Sequence, residues 1–244
     1  LSKVVAIVQS SYIPWKGYFD LVNWADEFIL FDDMQYTRRD WRNRNRIKTR
    51  GGTLWLTIPV QVKGRFHQRI DETKVADSGW ARNHWESLQH SYAHASHFAE
   101  YAPFFEKLYL GLQEEYLSRI NFRFLRAICD LLGIATRLSW SAEYRSVAGK
   151  TERLVHLCRQ AGATEYVSGP SARDYLDERQ FQDAGIKLRY ADYSGYPEYH
   201  QLYPPFDHHV SVLDLLFNEG PHAGRYLLSP RDKPLTCPVE GSST

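Results

Sequence analysis

Residues 4–33 read VVAIVQSSYIPWKGYFDLVNWADEFILFDD. Val4-Val5-Ala6-Ile7-Val8 is a short, unbroken apolar run with β-branched side chains. Such a run suits a parallel strand covered on both faces, because alternation is lost where neither face meets water. Ser10, Ser11 and Pro14 end it. Gly17 to Ala25 has helical spacing, with Leu21, Val22 and Ala25 turned inward. Phe28-Ile29-Leu30-Phe31 is a second buried strand, and Asp32-Asp33 stands at its C-terminal end. Strand, loop, helix and strand in that order make a compact βαβ unit, in which polar residues at the strand C-termini face the ligand crevice.

Outward from that unit the pattern repeats. Asn45 to Lys48 and Thr53 to Val60 flank Gly51-Gly52 and read as a β-hairpin. Trp80 to Tyr92 and Phe104 to Leu132 are helical, the second broken near Arg119-Ile120-Asn121. Ala135 to Trp140, Glu165 to Ser168 and Ile186 to Tyr190 read as strands. Thr151 to Ala161, Asp177 to Ala184 and His208 to Phe217 read as helices, followed by Gly162, Gly185 and Gly220. The expected fold is α/β, a mainly parallel sheet flanked by helices with an inserted β-hairpin and long helices. Residues 1–230 are expected as a single α/β domain, with the inserted lobe at about 45–132. Residues 231–244 are expected as a loosely ordered C-terminal tail.

Thirty basic residues against twenty-nine acidic leave a net charge of +1, so no global field holds the chain on nucleic acid or an anionic membrane. The three cysteines are odd in number and form no C-x-x-C pair, which argues against a disulfide framework or a cysteine zinc site. A reduced, cytoplasmic chain is expected. The longest apolar runs fall far short of the roughly 20 residues that cross a bilayer, and no signal peptide is expected. Sixteen Tyr and seven Trp suggest stacking or sugar-facing surfaces besides a core.

The densest chemistry lies between Gln35 and Arg50. Seven cations there (Arg38, Arg39, Arg42, Arg44, Arg46, Lys48 and Arg50) face one acid, Asp40. Tyr36, Trp41, Asn43 and Asn45 sit among them. Guanidinium forks beside aromatic planes suit a phosphate or diphosphate, with the rings on a base or sugar. The alternative is a solvated basic face with arginine stems packed on Trp41. Gln9, Tyr12, Trp15, Gly17 and Tyr18 follow the first strand and open the first helix, where free N–H groups favour an anion. Asp32 and Asp33 suit a sugar hydroxyl, a magnesium ion or proton transfer, or else a turn paired with the arginines. Ser168, Gly169 and Tyr175 follow another strand end. His200 and Gln201 lie in an aromatic, proline-rich loop, and Asp214 sits on the last helix. Gly149-Lys150-Thr151 ends like a P-loop, but Tyr144 stands where that motif needs glycine. His90, His94 and His97 share helical spacing but lack a zinc-protease carboxylate, and no metal site is expected.

Taken in order, these stretches resemble the WbqC-like protein family. The matching residues include Ala6-Ile7-Val8-Gln9, Tyr12-Ile13-Pro14-Trp15-Lys16-Gly17-Tyr18-Phe19 and Phe31-Asp32-Asp33-Met34-Gln35-Tyr36. They continue in Arg39-Asp40-Trp41-Arg42-Asn43-Arg44-Asn45-Arg46-Ile47-Lys48, Tyr166-Val167-Ser168-Gly169-Pro170 and Ser211-Val212-Leu213-Asp214. The resemblance implies a bacterial protein linked to surface polysaccharide, such as O-antigen, or to specialised metabolites. The opening unit also looks like the HUP-type (Rossmann-like) nucleotide-binding fold, although Lys16-Gly17-Tyr18-Phe19 replaces the H-x-G-H pair of its enzymes.

The leading expectation is a transferase that modifies a nucleotide-activated aminosugar, or a similar small amine, by forming an amide or related C–N bond. Asp32, Asp33 and His200 are its candidate catalytic residues. The cofactor is open between ATP with magnesium and an acyl donor. The partner is a phosphorylated small molecule, with neither nucleic acid nor membrane. The alternatives are an ATP-using HUP-type nucleotidyltransferase or ligase, and a non-catalytic nucleotide-sugar or polysaccharide-binding protein.

Overall fold

In a computed structural model that describes residues 2–229, the first apolar run forms β1 (Val4–Val8). The tail expected at residues 231–244 and Cys237 lie outside the described residues. The helix α1 (Lys16–Trp24) leads to β2 (Glu27–Leu30), and β1 and β2 pair in parallel with Ala6 opposite Phe28. The chain then leaves the sheet. β3 (Arg44–Thr49) and β4 (Gly52–Thr57) form an antiparallel hairpin, with Arg46 opposite Trp55. Gly52 takes a φ of 123°, a region that a side chain disfavours, and so allows the tight reversal. Three helices follow: α2 (Trp80–Tyr92), α3 (Phe98–Leu110) and α4 (Leu117–Leu131).

β5 (Arg137–Trp140) rejoins the sheet beside β2. α5 (Thr151–Gln160), β6 (Glu165–Ser168), α6 (Glu178–Asp183), β7 (Lys187–Tyr190) and α7 (Val212–Glu219) complete the order. The five-stranded sheet runs β5-β2-β1-β6-β7, and every neighbouring pair is parallel. The chain therefore builds one half of the sheet outward from β1, returns, and builds the other half from β6. This mixed α/β arrangement is Rossmann-like, with its topological switch point between β1 and β6.

Strand alternation explains the unbroken apolar runs. Ala6, Phe28 and Leu30 join a large core with Ile47, Leu56, Phe105, Phe124 and Phe217. Val5, Ile7 and Ile29 point to the other face, into a second core with Leu154, Cys158, Tyr166 and Phe181. Both faces of the central strands are covered, so neither shows a polar period of two.

Three boundaries differ from expectation, the first being the start of α3 at Phe98 rather than Phe104. The break between long helices lies before Leu117, not near Arg119-Ile120-Asn121, which fall inside α4. There the Val75 N–H donates to the Glu115 carbonyl and the Leu117 N–H to the Thr73 carbonyl, at 2.8 Å each. α3 stops at Gly111, and the segment after it pairs with residues 73–75 before α4 begins. The last helix begins at Val212 instead of His208, because the Ser211 hydroxyl caps it by accepting from the Leu213 N–H.

Candidate functional site

A cavity of about 730 Å³ opens at the switch point. Gln9 beyond β1 and Ser168-Gly169 at the end of β6 form its floor, with Pro170, Ser171 and Ala172 beside them. Trp15 and Tyr18 from the start of α1, with Tyr175 and Tyr193, supply aromatic walls. Arg42, Lys150 and Arg153 supply its cations. Gly149, Lys150, Arg153 and Leu154 all line it, so the start of α5, the positive end of its dipole, borders the cavity. A second cavity of about 320 Å³ shares Val8, Trp15, Tyr18 and Arg42 with the first. Ser11, Pro14, Trp41, Asn45 and His209 complete it. The two share a wall made of those four residues and together form the larger and smaller lobes of the candidate crevice.

The loop between β1 and α1 forms the ridge between the lobes, and it is held from many sides. The Asn45 amide donates to the carbonyls of Tyr12 at 3.2 Å and Ile13 at 2.9 Å. Arg42 Nη1 donates to the carbonyls of Gln9 at 2.8 Å and Ser10 at 2.9 Å. The Tyr12 N–H donates to the Trp41 carbonyl at 3.0 Å. Within this clamp Ile13 is kept at φ 37°, a backbone state that a β-branched residue avoids. Gly17 matters for a different reason. A Cβ there would stand 2.3 Å from the Trp15 ring, so its absence lets the indole fold over the helix start and wall both lobes.

The arginine block divides. Strand alternation turns Asn45 inward, and Asn43, just before β3, is buried as well, its amide donating to the Ile58 carbonyl at 2.7 Å. Arg44 and Arg46 turn to the outer face of the hairpin and lie over Trp55, at 4.2 Å and 5.6 Å. Trp41, with its ring centroid 5.4 Å from that of Trp55, extends this exposed face. Arg44 Nη2 donates to the Arg39 carbonyl at 2.6 Å, and Arg46 Nη2 to the His209 carbonyl at 3.0 Å. Arg39 is exposed, with φ 60°. Of the block's six arginines, from Arg38 to Arg50, Arg42 alone lines the crevice.

The carboxylates are anchored rather than free. Asp32 is 1% exposed and accepts from the Ser10 N–H at 2.7 Å and from the Ser118 hydroxyl. Burial pushes its pKa up despite those bonds. Asp33 accepts from the Ser141 hydroxyl at 2.6 Å and from Arg153 Nη2, and so fixes Arg153 on the cavity wall. Asp214 is buried and accepts from the hydroxyls of Tyr199 and Tyr92 and the amide of Gln201, at 2.7, 2.8 and 2.9 Å. Desolvation raises its pKa as well.

The remaining sequence candidates are spread. Tyr12 is buried, with its hydroxyl 2.9 Å from His84 Nδ1 and 2.8 Å from the Tyr109 hydroxyl. Gln35 is exposed and donates to the Phe66 carbonyl at 2.7 Å. His200 is exposed, lines neither lobe, and donates its backbone N–H to Glu219 at 3.2 Å. Sequence reasoning missed Lys150, Arg153, Tyr193 and His209. Lys150 and Arg153 are three residues apart at a helix start and share a face, which the Gly149-Lys150 pair signals. His209 closes the smaller lobe, stacked on Trp15 at 6.1 Å with Nδ1 3.4 Å from Asp207. Among the described residues no group of three or more His, Cys, Asp or Glu side chains is placed to hold a metal ion.

The profile of the WbqC-like protein family matches residues 9–226. Uncharacterized protein Rv1507c of Mycobacterium tuberculosis is 58% identical over 225 residues, which cover 92% of this chain and 97% of that protein. No solved structure matches the chain. With the match covering most of the chain, including four of the five sheet strands and most residues that line the crevice, the chain belongs to the WbqC-like protein family.

Proposed function

We propose that the crevice binds a nucleotide-activated aminosugar, or a similar small amine, and that the protein is a transferase forming an amide or related C–N bond on it. Membership of the WbqC-like family supports a role in polysaccharide-related biosynthesis. One observation carries the ligand class. The 730 Å³ lobe sits at the switch point of a parallel sheet and combines aromatic walls with Arg42, Lys150, Arg153 and the start of α5. A nucleoside diphosphate offers a ring to stack and two phosphates to pair, which matches that lining. Asp33 acts through Arg153, as a positioning residue. His209 is the imidazole that lines the crevice, and it takes the proton-transfer role expected of His200. The acceptor nitrogen bonds the acyl carbon, the donor's leaving group departs, and the nitrogen's proton passes to His209. Catalysis is then positioning plus proton transfer.

A thermal-shift series with UDP, dTDP, their sugar conjugates and ATP with magnesium tests this reading. A nucleotide sugar is expected to raise the melting temperature, because it binds the folded state alone. Arg153→Ala is expected to weaken that binding by about 1.5–3 kcal/mol, the worth of a charge-assisted hydrogen bond. No shift with any nucleotide contradicts the proposal. Gly149-Lys150 at the cavity mouth favours one second reading, an ATP-using ligase or nucleotidyltransferase. Magnesium-dependent release of pyrophosphate or AMP is its signature.

A further inference from the structure

The two lobes differ in chemistry. The larger holds Lys150 and Arg153. The smaller is lined by no carboxylate, and its one cation, Arg42, already donates to two backbone carbonyls. Its volume of about 320 Å³ lies at the low end for small-molecule sites. It has ample room for a pyranose and is less than half the volume of the larger lobe. Trp15, Tyr18, Trp41 and Pro14 give it an apolar surface, while Ser11, Asn45 and His209 add polar groups. A purely apolar ring leaves the Ser11 hydroxyl and the His209 imidazole unmatched, and the lobe holds no carboxylate to pair with a cation. A pyranose presents a C–H face for the indoles and a rim of hydroxyls for the polar side chains. Arg42 uses Nη1 for its two backbone carbonyls and walls both lobes, so a diphosphate set against the rest of its guanidinium leaves the attached sugar beside the smaller lobe.

We infer that the smaller lobe is the sugar subsite, in which the pyranose of a nucleotide sugar packs on Trp41 and Trp15 while its nucleoside diphosphate fills the larger lobe. The assignment deepens the proposed function and rests on it for the identity of the larger lobe's ligand. It brings the sugar's substituents to the edge that His209 closes.

The test compares UDP with UDP-N-acetylglucosamine, and dTDP with dTDP-glucose, by calorimetric titration of the wild type, Trp41→Ala and Arg153→Ala. Trp41 is 41% exposed, and the loop contact at this position is made by its backbone carbonyl, so the fold survives its truncation. Trp41→Ala is expected to lower affinity for the sugar conjugate roughly five-fold or more, on the scale of a lost stacking contact. It is expected to leave the diphosphate alone unchanged, whereas Arg153→Ala weakens both. Equal losses for the diphosphate and its conjugate in Trp41→Ala, or no loss for either, overturn the subsite and leave the larger lobe's reading intact. Failure of every diphosphate and conjugate to bind overturns both readings. Binding of a conjugate that Trp41→Ala does not weaken overturns the subsite alone.

Discussion

His84 shows how much a single buried side chain constrains. Its Nε2 lies 3.2 Å from the Thr57 carbonyl, which requires an N–H there and leaves Nδ1 to accept from Tyr12. Tyr109 then donates to Tyr12, and the chain of bonds closes without a charge. Burial holds the imidazole neutral, with its pKa pushed down to about 4. The unfolded chain binds a proton below its ordinary value while the folded chain does not, so stability falls as pH drops from about 6.5 through 4. Chemical denaturation across that window is expected to show a loss of up to about 3 kcal/mol in the wild type that His84→Gln lacks. Comparing the two proteins removes the opposing contribution of Asp32 and Asp214, whose raised values favour the folded state as pH falls. Gly17→Ala tests a steric claim instead. Its Cβ collides with the Trp15 ring, so overpacking costs about 1–3 kcal/mol, offset by about 1 kcal/mol of helix preference. Denaturant melts are expected to show a modest loss, with the tryptophan emission shifted as the indole leaves the crevice wall. Neither residue's role is legible in sequence. Gly17 reads as a point of close approach, but its partner is set by how Trp15 folds back, and Tyr12 reads as a ligand contact until the helices bring His84 and Tyr109 to it.

At the scale of elements, the strands were the readable part. The runs Val4 to Val8 and Phe28 to Phe31 are apolar throughout because helices cover both faces, and that signal survives in one dimension. The arginine block was readable as chemistry but not as geometry. Alternation along β3 sends Asn45 inward and Arg44 and Arg46 outward, with Asn43 buried just before the strand, whereas the sequence shows only that cations and amides are interleaved. The inward amides form a clamp. Asn45→Ala removes two donors from the Tyr12 and Ile13 carbonyls and frees the strained turn at Ile13. Stability is expected to fall by about 1–3 kcal/mol. Hydrogen exchange is expected to rise over residues 10–15 while the hairpin amides stay protected. Equal exchange in both proteins contradicts the clamp.

For the whole molecule, sheet order does what no local motif does. Residues far apart in sequence meet at one point because the strand order reverses between β1 and β6. Lys150 and Arg153 come to the crevice by that reversal, far in sequence from the block that first suggested an anion site. No helix of the described residues is long and apolar enough to cross a membrane. With a net charge of +1, attraction for an anionic ligand is local to the crevice or to the hairpin face. These two places make rival predictions about where a diphosphate sits. A crystal structure of the protein with UDP separates them. The expected density lies between the ends of β1 and β6, with phosphate oxygens within hydrogen-bond reach of Lys150 and Arg153. Phosphate bound instead to Arg44 and Arg46 over Trp55, with nothing in the crevice, contradicts the account.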